Sequence, residues 1–370
     1  MNSRRPLQNI TTISDDIWQP AFPSMEPLEA EKPDRFQFEA MEISQRSRNR
    51  CPGGSDRSIS ADAFEQTLDA VRAAAAFPNA GIFGPASMMW RIDRESAIFL
   101  GAGRALLLQL AHPWVAAAIA EHSQAIADPI GRFHRTFNTV FTMVFGTLDQ
   151  ALDVARRLHR RHARTSGSLP AAAGPFASGS PYIANDPDAL RWVHATLVET
   201  ALLAHDLVCQ PLTSDEREQY WAECRLFAAL FGLKPADLPR DWDAFAAYTD
   251  AMTRSNVLTV SGAAGEIADR LFCGPVTQWR TPMWYRALTA EMLPPRLRAE
   301  FGFVHGPRES ESARRALVWL RRVYPLLPIG LRMVGPYQEA VARLHGRSQP
   351  GMTAQLTNQF WIGRTRMDPA

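Results

Sequence analysis

The sequence predicts an all-α fold, and two observations carry that prediction. Apolar residues recur at three- and four-residue spacing through most of the chain, as on the buried face of a helix. The sequence has no run of alternating polar and apolar residues, no Asn-Gly or Asp-Gly turn and no repeat of fixed period. At 370 residues the chain can bury a sizeable core, so we expect one multi-helix globular domain.

Composition divides the chain into three segments. Residues 1–60 are rich in proline, serine, arginine and acidic residues, so we expect a partly disordered N-terminal extension. Helical spacing starts after it, and we expect the globular domain to span residues 61–345. We expect residues 346–370 to form a C-terminal tail.

Five helices are predicted in the first half of the chain from their start and stop signals. They cover residues 60–75, 97–109, 114–125, 129–145 and 149–163. Ser60 caps the first, and Asp128 followed by Pro129 opens the fourth, which ends at Gly146. The second and third are apolar on nearly every face, as in central helices, and Pro113 between them marks either a kink or a new start.

Six more helices are predicted after a loop at 166–181, which is rich in glycine, serine, proline and alanine. They cover residues 187–208, 214–231, 241–255, 261–271, 283–291 and 310–323. Pro187 opens the first of these, Thr213 caps the second, and a Pro-Pro pair at 294–295 breaks the chain before the last. The last is basic and amphipathic, a pattern more typical of a solvated face than of a binding patch.

Charge and cysteine spacing exclude several classes of function. The 40 basic and 38 acidic residues are interspersed, with a net charge of +2, so we expect no nucleic-acid partner. No Cys-x-x-Cys spacing occurs, which argues against a zinc finger, a disulfide framework and covalent c-type haem. We therefore expect free thiols in a reducing compartment. The four cysteines are Cys51, Cys209, Cys224 and Cys273.

Neither targeting nor membrane-spanning segments are expected. Residues 1–16 are polar and lack the apolar core of a signal peptide, so we expect a cytoplasmic protein. The apolar stretches at 97–120 and 190–212 contain charged residues and fall short of the roughly 20 apolar residues that a span needs. We interpret them as buried helices, in which cations such as Arg104 need a protein partner or a ligand.

One helical face offers two cations and a hydroxyl. Arg132, Arg135 and Thr136 stand at i, i+3 and i+4, so they share that face. It is either an ordinary solvated basic surface or a distal pocket. In such a pocket a guanidinium and a hydroxyl stabilise charge that develops on oxygen and anchor the acidic groups of a cofactor.

Histidines in apolar helices are the candidate metal ligands. Arg156 and His159 stand at i, i+3, and His159 has apolar neighbours just after the Arg132 helix, so it could serve as an axial imidazole. His194 competes for this role, or is a core histidine. For His112, beside Pro113, we favour a structural role at the helix interruption. The motifs of hydrolases, kinases and dehydrogenases are missing from the sequence.

Five blocks, in this order, resemble the latex-clearing protein (rubber oxygenase) and MpaB-type oxygenase family, over about residues 85–340. Together they are far more specific than any one block alone. They are Gly103-Arg-Ala-Leu-Leu-Leu-Gln-Leu-Ala-His-Pro113, Asp128-Pro-x-x-Arg132-x-x-Arg135-Thr136, Arg156-x-x-His159, Tyr182-x-Ala-Asn-Asp-Pro187 and Trp192-Val-His-Ala-Thr-Leu197.

The resemblance implies an all-helical oxygenase with a non-covalent haem b that cleaves isoprenoid double bonds with O₂. By this resemblance His159 corresponds to the proximal haem ligand, and Arg132 and Thr136 to the distal pair. Arg135 stands where the rubber oxygenases have a lysine, and the segment between Thr136 and His159 is shorter than theirs.

The leading hypothesis is therefore a haem b oxygenase that uses O₂ on an apolar isoprenoid or lipid-like small molecule. Arg156 and His194 are further candidate cofactor contacts. One alternative is a helical carrier of haem or an apolar ligand that performs no turnover. Another is a non-haem metal enzyme, which the lack of a carboxylate one helical turn from any candidate histidine disfavours. Its candidate ligands are His112, His159, His162 and His194. The sequence carries no signal for an oligomeric state.

Overall fold

Helices account for most of the fold in the computed structural model, which describes residues 58–75, 77–123, 127–272 and 281–367. Cys51, Cys273 and nearly all of the predicted N-terminal extension lie outside these ranges. Within them, sixteen α-helices and two short strands confirm the all-α prediction. The helices of the first half are α1 (Ala61–Ala74), α2 (Met88–Asp93), α3 (Ala102–Leu110), α4 (Pro113–His122), α5 (Pro129–Phe145) and α6 (Leu148–Ala163).

The second half continues with ten helices among the described residues. They are α7 (Pro187–Val208), α8 (Ser214–Ala229), α9 (Trp242–Arg254), α10 (Gly262–Phe272), α11 (Met283–Met292), α12 (Pro295–Glu300), α13 (Pro307–Val323), α14 (Ile329–Arg332), α15 (Gly335–Leu344) and α16 (Met352–Ile362). None of the described helices has the length and apolarity needed to cross a bilayer.

Side-chain caps fix the helix starts that the sequence predicted. The Ser60 hydroxyl accepts a hydrogen bond from the amide of Ala63 at 3.2 Å, and the Asp128 carboxylate accepts one from the amide of Gly131 at 2.9 Å. Thr213 forms a reciprocal capping box with Glu216. These bonds satisfy amides that have no partner inside the helix, so these three predictions are confirmed.

The central apolar stretch is interrupted more than the sequence suggested. A 3₁₀-helix, Ser96–Gly101, precedes α3 where one α-helix over 97–109 was predicted. Pro113 occupies the first turn of α4, so it starts a new helix rather than kinking an existing one. The carbonyl freed at Ala111 accepts a hydrogen bond from the amide of Thr259 at 2.8 Å. A distant segment therefore stabilises the interruption.

The predicted loop at 166–181 is bounded by a strand pair, which the sequence did not predict. Strands β1 (Ser166–Ser168) and β2 (Pro181–Ile183) are antiparallel, with Gly167 opposite Tyr182. Each strand has three residues, too few for an alternating pattern to be recognisable. The Tyr182 hydroxyl donates a hydrogen bond to Glu121 at 2.5 Å, which fastens the pair to the end of α4.

Buried tryptophans tie the central helices together around α7. The indole N–H of Trp192, in α7, donates to the carbonyl of Leu108 at 2.9 Å, and that of Trp90 donates to Val144 at 2.9 Å. Within the segment expected to be a tail, α16 packs against α5 and α15. Its Trp361 stacks on Phe99 with ring centroids 3.5 Å apart. The described body thus extends into α16.

Candidate functional site

The most buried cation of the central helices has protein partners. Arg104 is 4% exposed. Its guanidinium donates to the carbonyl of Met292 at 2.8 Å and to the hydroxyl of Thr200 at 2.6 Å, and it pairs with Glu199 at 3.1 Å. These partners offset the cost of burying the charge, so Arg104 stabilises the junction of α3, α7 and α11.

His159 presents a buried imidazole on the inner side of α6. The residue is 8% exposed, and its ring stacks on Phe64 of α1 with centroids 4.2 Å apart and planes within 7°. Burial lowers the pKa of His159 because the charged ring would lose hydration, while the carboxylate of Glu65 opposes this shift. The ring is therefore neutral at physiological pH, as a metal-ligating imidazole must be.

Asn185 holds one edge of the His159 ring. The residue follows β2, is 1% exposed, and is placed by the strand pair just before α7. Its amide nitrogen donates to the carbonyl of His159 at 3.2 Å and lies 3.4 Å from the ring Nδ1. Because the donor faces Nδ1, Nδ1 accepts, and the proton of the neutral ring lies on Nε2.

Arg156, one turn before His159, is engaged by a carboxylate that the sequence did not single out. Its Nε and Nη2 atoms donate to the two oxygens of Glu65 at 2.8 Å and 2.7 Å. This two-point pair raises the pKa of Arg156 and lowers that of Glu65. The carboxylate of Glu65, in α1, thus neutralises the positive charge of Arg156 next to His159.

The predicted face of Arg132, Arg135 and Thr136 divides between interior and surface. Arg132 is half-buried and donates to the Ser123 hydroxyl, and its burial and the charge of Arg135 lower its pKa. Arg135 is exposed and pairs with Asp128 at 3.1 Å, and Thr136 is exposed. Only Arg132 of this group is directed inward, toward the end of α4.

Arg132 and His159 lie on successive helices that form a hairpin. Helices α5 and α6 pack against each other, and Gly146 and Thr147 connect them. At about 1.5 Å of rise per residue, each residue lies roughly 20 Å along its own helix from that turn. No hydrogen bond or ion pair joins Arg132 to His159 in the described ranges.

His194 has the surroundings of a core histidine. It is 1% exposed, and its Nε2 lies 2.8 Å from the carbonyl of Cys224, to which it donates. The rings of Trp221 and Phe227 enclose it at centroid distances of 6.1 Å and 5.9 Å. Burial lowers the pKa of His194 to about 4. The Nε2 atom of His194 is thus engaged in a hydrogen bond to a backbone carbonyl.

An apolar cavity lies next to this hairpin, between the 3₁₀-helix, α2, α3, α5, α7 and α8. The volume of this cavity is about 70 Å³. Among its lining residues only Asp93, Thr200 and Tyr220 carry polar groups. The apolar lining residues are Met89, Ile98, Gly101, Ala102, Ala105, Phe137, Val140, Phe141, Val144, Leu197, Val198, Ala201 and Phe227. His159 and Arg132 do not line this cavity.

Asp93, Glu65 and Asn185 were not predicted as site residues. Asp93 stands in an Arg-Ile-Asp-Arg-Glu run, yet it is 7% exposed. The apolar residues that precede it, Met88, Met89, Trp90 and Ile92, were the one available signal. Glu65 and Asn185 lie far from Arg156 and His159 in the sequence, so no local spacing links them.

The comparisons identify one family. The model described as "ER-bound oxygenase mpaB/B'/Rubber oxygenase, catalytic domain" matches residues 89–324. Neither a curated protein nor a solved structure matches the chain. Among the described residues, no three His, Cys, Asp or Glu side chains cluster as ligands of a metal ion.

Proposed function

The chain belongs to the family of ER-bound oxygenase mpaB/B' and rubber oxygenase catalytic domains, and from this premise we propose that it is a haem b-dependent oxygenase of an apolar small molecule. The matched residues 89–324 make up most of the helical body. At the level of the family, the chain is therefore an oxygenase catalytic domain. The observation that carries the haem proposal is the buried, neutral imidazole of His159.

The donor set around His159 fits one axial imidazole. Asn185 engages Nδ1, which leaves Nε2 as the ring nitrogen that can bind iron. Binding through Nε2 would place the ring proton on Nδ1, because a ligating nitrogen must be deprotonated, and the Asn185 amide would then have to turn its oxygen toward Nδ1 to accept that proton. His194 fits less well, since its Nε2 donates to the Cys224 carbonyl. We therefore propose His159 as the ligand.

Bound haem would supply the O₂ chemistry, and the side chains of the chain would position and protect it. The ring stack on Phe64 holds the plane of the His159 imidazole, and the Glu65–Arg156 pair secures the adjoining turn. Arg132, half-buried in the neighbouring helix α5, would add a positive charge that favours anionic groups near the haem.

Arg135 and Thr136 are proposed to act at the rim of the site. The Arg135 side chain is held by Asp128 and would meet acidic groups of a cofactor from the surface side. Thr136 is exposed one turn after Arg132 and offers a hydroxyl there. We propose that both contribute less than Arg132, because water competes with exposed groups.

The substrate is proposed to be an isoprenoid or lipid-like molecule of small or medium size. The apolar cavity beside the hairpin supports this, since its lining offers a hydrocarbon chain few polar contacts. A helical carrier without turnover would have the same cavity, so binding alone does not separate the two functions.

Oxygen consumption separates them. Haem-loaded protein should take up O₂ in the presence of farnesol and yield a product whose mass shows added oxygen or a cleaved double bond. Farnesol binding without O₂ uptake would favour the carrier. Polyisoprene latex, assayed in parallel, tests substrate size, and efficient latex cleavage with no turnover of farnesol would refute the small-substrate proposal.

A further inference from the structure

Asp93 is a buried carboxyl on the wall of the apolar cavity. The residue ends α2, is 7% exposed and lines the cavity. Its Oδ2 atom has no hydrogen-bond partner among the described residues. Buried polar atoms in folded proteins are nearly always hydrogen-bonded, so an orphan at a cavity wall indicates a missing partner.

The other two polar groups of the cavity already have protein partners. The Thr200 hydroxyl accepts a hydrogen bond from Arg104 at 2.6 Å, and the Tyr220 hydroxyl lies beside the thiol of Cys224, one turn further along α8. None of the hydrogen bonds among the described residues joins Thr200 or Tyr220 to Asp93. Because Asp93 lines the cavity, a group bound there would be the partner that Oδ2 lacks.

The surroundings of Asp93 favour its protonated form. Glu223, one residue before Cys224, accepts hydrogen bonds from the amides of Met88 at 3.1 Å and Met89 at 2.7 Å. Burial, together with that negative charge, raises the pKa of Asp93 to about 7. Near neutral pH the carboxyl can thus donate a hydrogen bond through its own proton.

We propose that Asp93 anchors an otherwise apolar ligand by donating a hydrogen bond to an uncharged oxygen of that ligand, such as the hydroxyl of a long-chain alcohol or the carbonyl of an aldehyde or ketone. Identifying this ligand as the oxygenase substrate rests on the proposed function, whereas the binding site does not.

The same geometry disfavours two related ligands. A pure hydrocarbon would fill the cavity but leave the Asp93 carboxyl without a partner. A fatty acid would bring a second negative charge toward Asp93 and Glu223, which costs binding energy in an apolar site. The chain should therefore select oxygenated but uncharged apolar molecules.

Displacement of the fluorescent probe 1-aminoanthracene from the full chain tests this selectivity at pH 6. Farnesol should bind at least about tenfold more tightly than farnesane, the hydrocarbon of the same skeleton, and more tightly than farnesoic acid. Asp93→Leu should remove the preference, and Asp93→Asn, whose amide still donates, should keep much of it. Asp243→Asn, at an exposed carboxyl in α9, is the matched control and should change nothing.

Farnesol affinity should also fall about tenfold between pH 6 and pH 8, since ionisation removes the donor. Burial raises the pKa values of Tyr220 and Cys224, so both stay neutral over this range. Equal affinity for farnesol and farnesane, or unchanged farnesol binding by folded Asp93→Leu, would overturn the proposal. Selective binding without haem uptake would refute the oxygenase function and leave this site intact.

Discussion

Replacing Asp93 by asparagine should change how stability depends on pH. In the folded chain burial and Glu223 raise the pKa of Asp93 from 3.8 to about 7. Between these values the folded state holds a proton that the unfolded state has released, so the free energy of unfolding falls as pH rises. The destabilisation of the folded state by Asp93 is absent below pH 4 and reaches its full size above pH 7.

The magnitude follows from the same two values. The rise in the pKa of Asp93 from 3.8 to about 7 corresponds to a loss of roughly 4 kcal/mol in the free energy of unfolding, because each tenfold change in proton affinity is worth about 1.4 kcal/mol. Asp93→Asn cannot ionise, so it should be more stable than the unmodified protein at pH 8, by up to about that amount. At pH 4 the two proteins should differ by less than about 1 kcal/mol.

Urea unfolding followed by circular dichroism, at pH values from 4 to 8, measures this difference directly. Asp243→Asn again serves as the control, because its carboxyl is exposed. A stability difference between Asp93→Asn and the unmodified protein that stays constant with pH would refute the reasoning, since Asp93 would then have the same proton affinity folded and unfolded.

Four further substitutions probe the candidate site. His194→Ala should keep haem but lose about 2–4 kcal/mol of stability, seen in urea unfolding, because it leaves a core cavity and an unpaired carbonyl; loss of haem would contradict this. Arg132→Ala and Thr136→Ala should keep haem and slow O₂ uptake, the arginine variant more, by about tenfold or more; an unmodified rate in either would remove that residue from the site. Asn185→Asp should lower the iron midpoint potential, measured by spectroelectrochemistry, because a carboxylate accepts from Nδ1 of His159; an unchanged potential would exclude that contact.

Eleven of the sixteen described α-helices could be predicted, because their signals are local. The caps at Ser60, Asp128 and Thr213 lie within a few residues of the amides that they satisfy. The strand pair at 166–168 and 181–183 could not, since its pairing joins distant residues and each strand is too short to show a period. Helix α16 was missed because several of its apolar side chains are exposed and give no regular pattern.

The site was predictable only in its residue types. The family resemblance pointed to His159 and Arg132, and the apolar frame of His159 indicated burial. The partners that decide what these groups can do are distant in sequence, as Asn185 is from His159 and Glu65 from Arg156. Charged residues follow Asp93 in the sequence, and only the packing of α2 on α8 shows that it is buried.

Measuring whether the His159→Ala variant still binds haem tests the proposed function most directly. The unmodified protein, expressed with haem supplementation, should show a Soret band and a pyridine haemochrome spectrum of haem b. His159→Ala should lose stable haem while circular dichroism shows unchanged helical content, and His162→Ala, one turn further on α6, is the matched control that should keep it. A full Soret band in His159→Ala, or none in the reconstituted unmodified protein, would contradict the assignment of His159 as the haem ligand of an oxygenase.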